Sequence, residues 1–255
     1  MGVKYLWEII DDARSVETLD CLRGKTICVD LSIWIVESIK TLQYKSGILK
    51  PHLRNIFFRA LYLRRLGVKL IFVTEGVPPD LKQDTMKRRA MAQYGVKTKT
   101  RGKMGRSRFQ RTVDECTKML DLIGLPHVQA HGEAEAMCAT LNKHGLVHGC
   151  LTNDGDFFLY GGETIYRDFG INPKDQHVLV YTTHTIKKRT GLTRNDMVGL
   201  ALLNGCDYTQ GVAGVGKKTV HKFLDEKAFT EDLLIRYFAF CMHINYCIIT
   251  DHRNS

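Results

Sequence analysis

The 255-residue sequence has no C-x-x-C pair, no amino-terminal apolar run of the kind a secretory signal needs, and no apolar stretch long enough to span a bilayer as a helix. Its eight cysteines, Cys21, Cys28, Cys116, Cys138, Cys150, Cys206, Cys241 and Cys247, lie mostly inside apolar stretches and read as reduced core thiols. The first residues, MGVKYLWEIIDD, carry Leu6 where a myristoylation signal requires Ser or Thr. The most apolar late stretch, Tyr237–Ile249, is interrupted by His243 and Asn245. Secretion, lipidation and membrane insertion are therefore not expected, and the chain reads as intracellular. No internal repeat or low-complexity linker marks a boundary before about residue 205, and 44% apolar residues can fill a compact core.

What the chain has in excess is positive charge. Lys and Arg number 37 against 27 Asp and Glu, for a formal charge of +10 and a pI near 9.2, a balance that favours a polyanionic partner such as nucleic acid. Eleven basic residues and a single acid, Asp84, fall between Lys82 and Arg111, around the run GVKTKTRGKMGRSR. Charge alone leaves two readings of this segment open: a solvated basic loop, or a contact with nucleic acid. Its position just after an acidic strand end favours the second.

Periodicity predicts alternating strands and helices. Lys25–Val36 is β-branched and nearly continuous in apolar character, as in a strand buried on both faces, with Asp30 the acid that interrupts it. Pro51 opens a helix whose apolar face comprises Leu53, Ile56, Phe57, Ala60, Leu61 and Leu63, with Gly67 as its stop. A strand over Val68–Thr74 ends at Glu75; a helix over Phe109–Ile123, a short strand at 126–130, a helix over Glu133–Lys143 and a strand over Gly149–Thr152 follow. This order predicts an α/β domain with a mainly parallel central sheet flanked by helices.

In such sheets ligands bind beyond the carboxyl ends of the strands, and Asp30, Glu75 and the pair Asp154 and Asp156 lie at predicted strand ends. Glu133 and Glu135 open a predicted helix, where a favourable interaction with the helix dipole is the plainer reading. The run NDGDFFLYG opens like a calcium loop but lacks the remaining acidic ligands. Asp207, after the helix-like MVGLALLNG, taken alone is a turn residue. One acidic cluster accounts for all seven more economically than seven separate explanations. Such a cluster suits phosphodiester hydrolysis by two Mg²⁺ ions about 4 Å apart, some acids binding directly and others through water.

The blocks MGVKYLW, VDLSIW, FVTEGVPPDLK, GEAEAMCA, CLTNDGDFFLYG, GCDY and GVAGVGKK, in this order from Met1 to about Phe223, resemble the flap endonuclease and XPG family. GEAEAMCA, CLTNDGD with FLYG, and Glu75 are most similar to its GEN-type Holliday-junction resolvases. The resemblance implies a PIN-like nuclease core with a basic helical arch and a C-terminal helix–two-turn–helix element. It implies metal-associated roles for Asp30, Glu75, Glu133 and Glu135, and for Asp154, Asp156 and Asp207 as a second group. Lys82 and Arg89 match the family's catalytic gateway bases, which steer and polarise the scissile phosphate. Gly211, Gly214 and Gly216, with Lys217 and Lys218, match the hairpin that holds a DNA phosphate with the help of a K⁺ ion, and Gly2 is implied near the substrate junction. The implied regions are 1–95, an N-terminal nuclease region with the start of the arch; 96–122, the rest of the arch and a helix; 123–207, an internal nuclease region; 208–225, part of the hairpin; and 226–255, an unmatched tail.

The chain departs from the family at Val36, where flap endonucleases carry a base-stacking tyrosine, and in the tail, which is expected to replace a longer C-terminal region. The resemblance implies a nuclear, Mg²⁺-dependent endonuclease cutting 5′ flaps and Holliday junctions to leave 5′-phosphates, with two subunits pairing on a four-way junction. The alternatives are a catalytically weak, cut-short protein that binds branched DNA, and a small-phosphoester hydrolase. The second leaves the eleven clustered bases unexplained.

Overall fold

The computed structural model describes residues 2–42, 49–77, 82, 99–170 and 176–212, with side chains omitted at 40–42 and 99–108. Its strands are β1 (Ser15–Thr18), β2 (Thr26–Asp30), β3 (Lys69–Thr74), β4 (His127–Gln129), β5 (Gly149–Leu151), β6 (Thr164–Arg167) and β7 (His177–Thr182). They form one sheet in the order β1-β7-β6-β5-β2-β3-β4. The five strands from β6 to β4 run parallel, and β7 and β1 close one edge antiparallel. The expected α/β architecture with a mainly parallel sheet is therefore present.

Helices cover both faces. On one lie α2 (Leu31–Leu42), α3 (Pro51–Arg65) and α4 (Lys99–Leu122); the other carries α1 (Leu6–Ile9), α5 (Ala134–Lys143), the single turn α6 (Asp156–Leu159), α7 (Thr183–Thr190) and α8 (Arg194–Asn204). Strand pleating divides the apolar residues between two cores. Ile27, Val29, Leu70, Phe72 and Leu151 face α2, α3 and α4, whereas Cys28, Val73 and Cys150 face α5 and α8. Burial on both sides explains why β2, β3 and β5 read as continuous apolar runs. Cys28, Cys138 and Cys150 are free, fully buried thiols whose sulfurs lie within 4.8 Å of one another in the second core.

The strand expected over Lys25–Val36 is corrected: it ends at Asp30, and Leu31 begins α2. The change is driven by the Asp30 carboxylate, whose Oδ1 accepts the Ser32 and Ile33 amides at 2.8 and 3.2 Å and so satisfies free donors at the helix start. From there Leu31, Trp34, Ile35 and Ser38 are buried at helical spacing. The apolar face expected of α3 also shifts: His52, Ile56, Ala60 and Leu63 are buried, while Leu61 is exposed. The helix expected from Phe109 begins ten residues earlier, at Lys99, because 99–122 holds no proline and its two glycines reduce helix stability without stopping it. Most of the expected arch, 83–98, lies outside the described residues.

Candidate active site

Seven acids gather at the carboxyl ends of the parallel strands. Asp30 closes β2 and is 1% exposed. Glu75 follows β3 at the rim of the site, and its Oε2 accepts the Ala134 amide at 2.9 Å, so a strand-end carboxylate meets the positive end of α5. Glu133 is the N-cap residue of α5 and Glu135 lies in its first turn, both buried. The dipole reading of these two glutamates thus holds beside their convergence with the other acids. Asp154 and Asp156 occupy the turn after β5, where the Asp156 amide donates to Asp154 Oδ1 at 3.2 Å. Asp207 follows α8 and is buried.

The acids act on one another electrostatically. Burial first, and then the Glu75 charge, hold the Asp30 carboxyl well above the ordinary carboxylate range. Glu135 is likewise held well up by burial and by Asp154 and Asp30. Asp156 is pushed up to about 7 by burial, with Asp154 and Asp207 adding to it. Glu75 is within electrostatic reach of Glu133 and Asp154, and Asp154 of Asp207. These links couple the acids to one another electrostatically.

Lys82 reaches into it. Its ammonium binds Glu133 Oε1 and lies 3.4 Å from Asp207 Oδ2. Burial pulls the lysine toward losing its proton, but Glu133, Glu135 and Asp207 override that and raise its pKa. Arg89, Gly214, Gly216, Lys217 and Lys218 lie outside the described residues. Gly2 has φ +86° and lies against the aspartate turn; a Cβ there would overlap the Asp154 carboxylate and approach Asp156 Oδ1 at 2.7 Å. The next residue, Val3, donates its amide to Asp156 Oδ1 at 3.1 Å. Gly211, at φ +81°, is packed against the end of α8, where a Cβ would press on the Leu203 oxygen at 2.5 Å.

The donor set fits a hard divalent cation. It consists of carboxylate oxygens, and Asp30 Oδ2 is buried without a hydrogen-bond partner among the described residues. A cation would supply that missing partner and reduce the repulsion recorded in the raised carboxyls.

Two residues not singled out in the sequence complete the site. Tyr160, directly after α6, donates its hydroxyl to Glu133 Oε2 at 2.7 Å, and Tyr208, beside Asp207, binds the same oxygen. The signal available was proximity in sequence to Asp156 and Asp207.

Residues 1–95 match the XPG N-terminal domain and residues 124–207 the XPG I-region. The chain is 52% identical to flap endonuclease GEN homolog 1 of Mus musculus over 226 residues, covering 88% of this chain and 25% of that protein. It therefore spans about a quarter of the length of that relative. The crystal structure of human GEN1 in complex with Holliday junction DNA matches 98% of this chain and 62% of its own at 44% identity, with a TM-score of 0.80. That of a Holliday junction-resolving enzyme GEN1 with product DNA and Mg²⁺ matches 95% of this chain and 56% of its own at 25% identity, with a TM-score of 0.67.

Proposed function

We propose, from the premise that this chain belongs to the XPG family of nucleases and to its GEN type, that it is a divalent-metal-dependent, structure-specific endonuclease acting on branched DNA in repair and recombination. The observation that carries the reading is the cluster of six buried carboxylates, with Glu75 at its rim, and an Asp30 oxygen unpartnered among the described residues at the strand ends. Asp30, Glu75, Glu133 and Glu135 would hold one Mg²⁺, and Asp154, Asp156 and Asp207 a second. Metal ions there supply positive charge to hold the scissile phosphate and to make water a competent nucleophile.

The chain's own residues account for the rest. Lys82 places a fixed cation beside the acids, where it can pair with a phosphate oxygen that gains charge during cleavage; Arg89 takes a matching role. Gly2 leaves the aspartate turn open to a close backbone or phosphate approach, since any side chain there would fill it. The 208–225 region, with Gly211, Gly214, Gly216, Lys217 and Lys218, would hold the duplex by a phosphate, with K⁺ as a bridging ion. Flaps and four-way junctions are the expected substrates, and the nucleus the expected compartment. Among the described residues no helix is long and apolar enough to cross a membrane.

The test is incubation of this chain with labelled 5′-flap and four-way-junction DNA in matched Mg²⁺ and EDTA lanes. Cleavage near the single-strand/double-strand junction with 5′-phosphate ends, only with Mg²⁺, is expected. Binding of both substrates without cleavage at any Mg²⁺ concentration would instead establish a DNA-structure-binding protein.

A further inference from the structure

Glu133 is held from both sides. Lys82 occupies Oε1, while the Tyr160 and Tyr208 hydroxyls both meet Oε2 and lie 2.6 Å from each other. The three partners come from separate parts of the site: Tyr160 from the end of the turn bearing Asp156, Tyr208 from the residue after Asp207, and Glu133 from the cap of α5. Each phenol has one proton, so only two of the three oxygen–oxygen contacts can carry one at a time. Either both hydroxyls donate to Glu133, or one donates to the other, which donates onward. In each arrangement at least one donation reaches the carboxylate, and loss of one phenol leaves the other able to supply it. Hydrogen bonds to a buried charged carboxylate are strong and directional, so this pair fixes which oxygen Glu133 turns toward Lys82.

We infer that Tyr160 and Tyr208 form a redundant positioning pair that orients Glu133, and through it Lys82, for metal capture and phosphodiester cleavage. The inference rests on the nuclease reading above and adds to it two residues whose hydroxyls meet Glu133. Removing both phenols frees Glu133 to rotate, and the site then has to reorganise before it can take up a cation or present the lysine.

The experiment uses Tyr160→Phe, Tyr208→Phe and the double variant in this chain, with both rings kept. Single-turnover cleavage of labelled branched DNA with enzyme in excess is expected to fall by no more than about threefold in each single variant. In the double variant it falls by about 30-fold, the scale of one charge-assisted hydrogen bond lost at a catalytic carboxylate. DNA affinity measured in Ca²⁺ stays within about twofold, because phosphate contacts elsewhere are untouched. A second readout needs no cleavage: the Mg²⁺ concentration giving half of the metal-induced rise in melting temperature, without DNA, is expected to increase about fivefold in the double variant. On a Glu133→Ala background the two Tyr→Phe changes should add no further loss in rate, which distinguishes action through Glu133 from a general packing role. Multiplicative single and double effects, an unchanged Mg²⁺ midpoint, or an equal loss on the Glu133→Ala background would each overturn the inference. A wild-type chain that fails to cut removes the nuclease reading instead, and the metal midpoint still tests the tyrosine pair.

Discussion

The middle and the start of α2 solve the same problem, burying charge, in opposite ways. Around its middle, Arg59 from α3 pairs with Glu37 at 2.8 Å and lies over the rings of Trp34 and Phe169 at 5.2 and 5.8 Å. Nearby, Asn55 donates to Ser38, whose hydroxyl donates to the Trp34 carbonyl. Each charge there meets an opposite charge or an aromatic face, which serves stability. At its start, Asp30 opens a cluster in which acid faces acid and one buried oxygen has no partner among the described residues. The contrast separates structure from function: protein groups complete the first network, while the second is complementary to something the chain does not contain.

The sharpest break of that contrast is Asp154→Asn, which keeps the shape and removes one charge. Single-turnover cleavage at saturating Mg²⁺ should fall by about a thousandfold or more, with junction binding within about threefold. Melting in EDTA should stay level or rise, because a repelling charge has been removed. Near-normal turnover would remove Asp154 from the catalytic set.

Arg59→Ala should give the opposite pattern. It strips Glu37 of its partner and the two rings of their cation, for a loss of about 2 kcal/mol read by urea denaturation. Cleavage per folded molecule should remain within about threefold. A large loss of rate without a loss of stability would show that the two networks are not separate.

The smallest effect is in pH. The folded, metal-free protein retains protons on carboxyls raised by burial and mutual repulsion, with Asp156 near 7. Such groups contribute stability that is present below the ordinary carboxylate range and is lost as pH rises through the folded value, at most about 1.4 kcal/mol per pH unit for each proton. Melting in EDTA should therefore decline between pH 5 and 8 apart from other titrations, and the extra stabilisation by Mg²⁺ should grow over the same range. A Mg²⁺ increment independent of pH would break the link between the raised carboxyls and the metal.

Much of this arrangement was legible in the residues. Asp30, Glu75 and the pair Asp154 and Asp156 stood out because they follow apolar strand segments, and a carboxylate there needs a reason. The boundary at Asp30 was not legible, since Ile27 to Val29 and Ile33 to Val36 are equally apolar; only the spacing of Leu31, Trp34, Ile35 and Ser38 separates helix from strand. Strands β1 and β6 are only four residues each, and β1 pairs antiparallel with β7 about 160 residues away, so no local period announced them. Tyr160 and Tyr208 were hidden by their amphipathic character, because a tyrosine beside an apolar run reads first as core. What set them apart is the position of their hydroxyls, which depends on tertiary contacts.

The join between the two ends of the described chain bears on synthesis. The Val3 amide binds Asp156, the Lys4 amide donates to the Gly205 carbonyl at 3.3 Å, and Asn204 donates to the Lys4 carbonyl at 3.5 Å. These contacts close loops of about 150 to 200 residues, which form slowly and late because the chain between them must be ordered first. A ribosome-bound chain that stops before Asn204 lacks Asp207 and both partners of Lys4, so it carries the basic segment but not the assembled acid cluster. The order of synthesis thus presents the basic segment before the residues that close the acid cluster have been made.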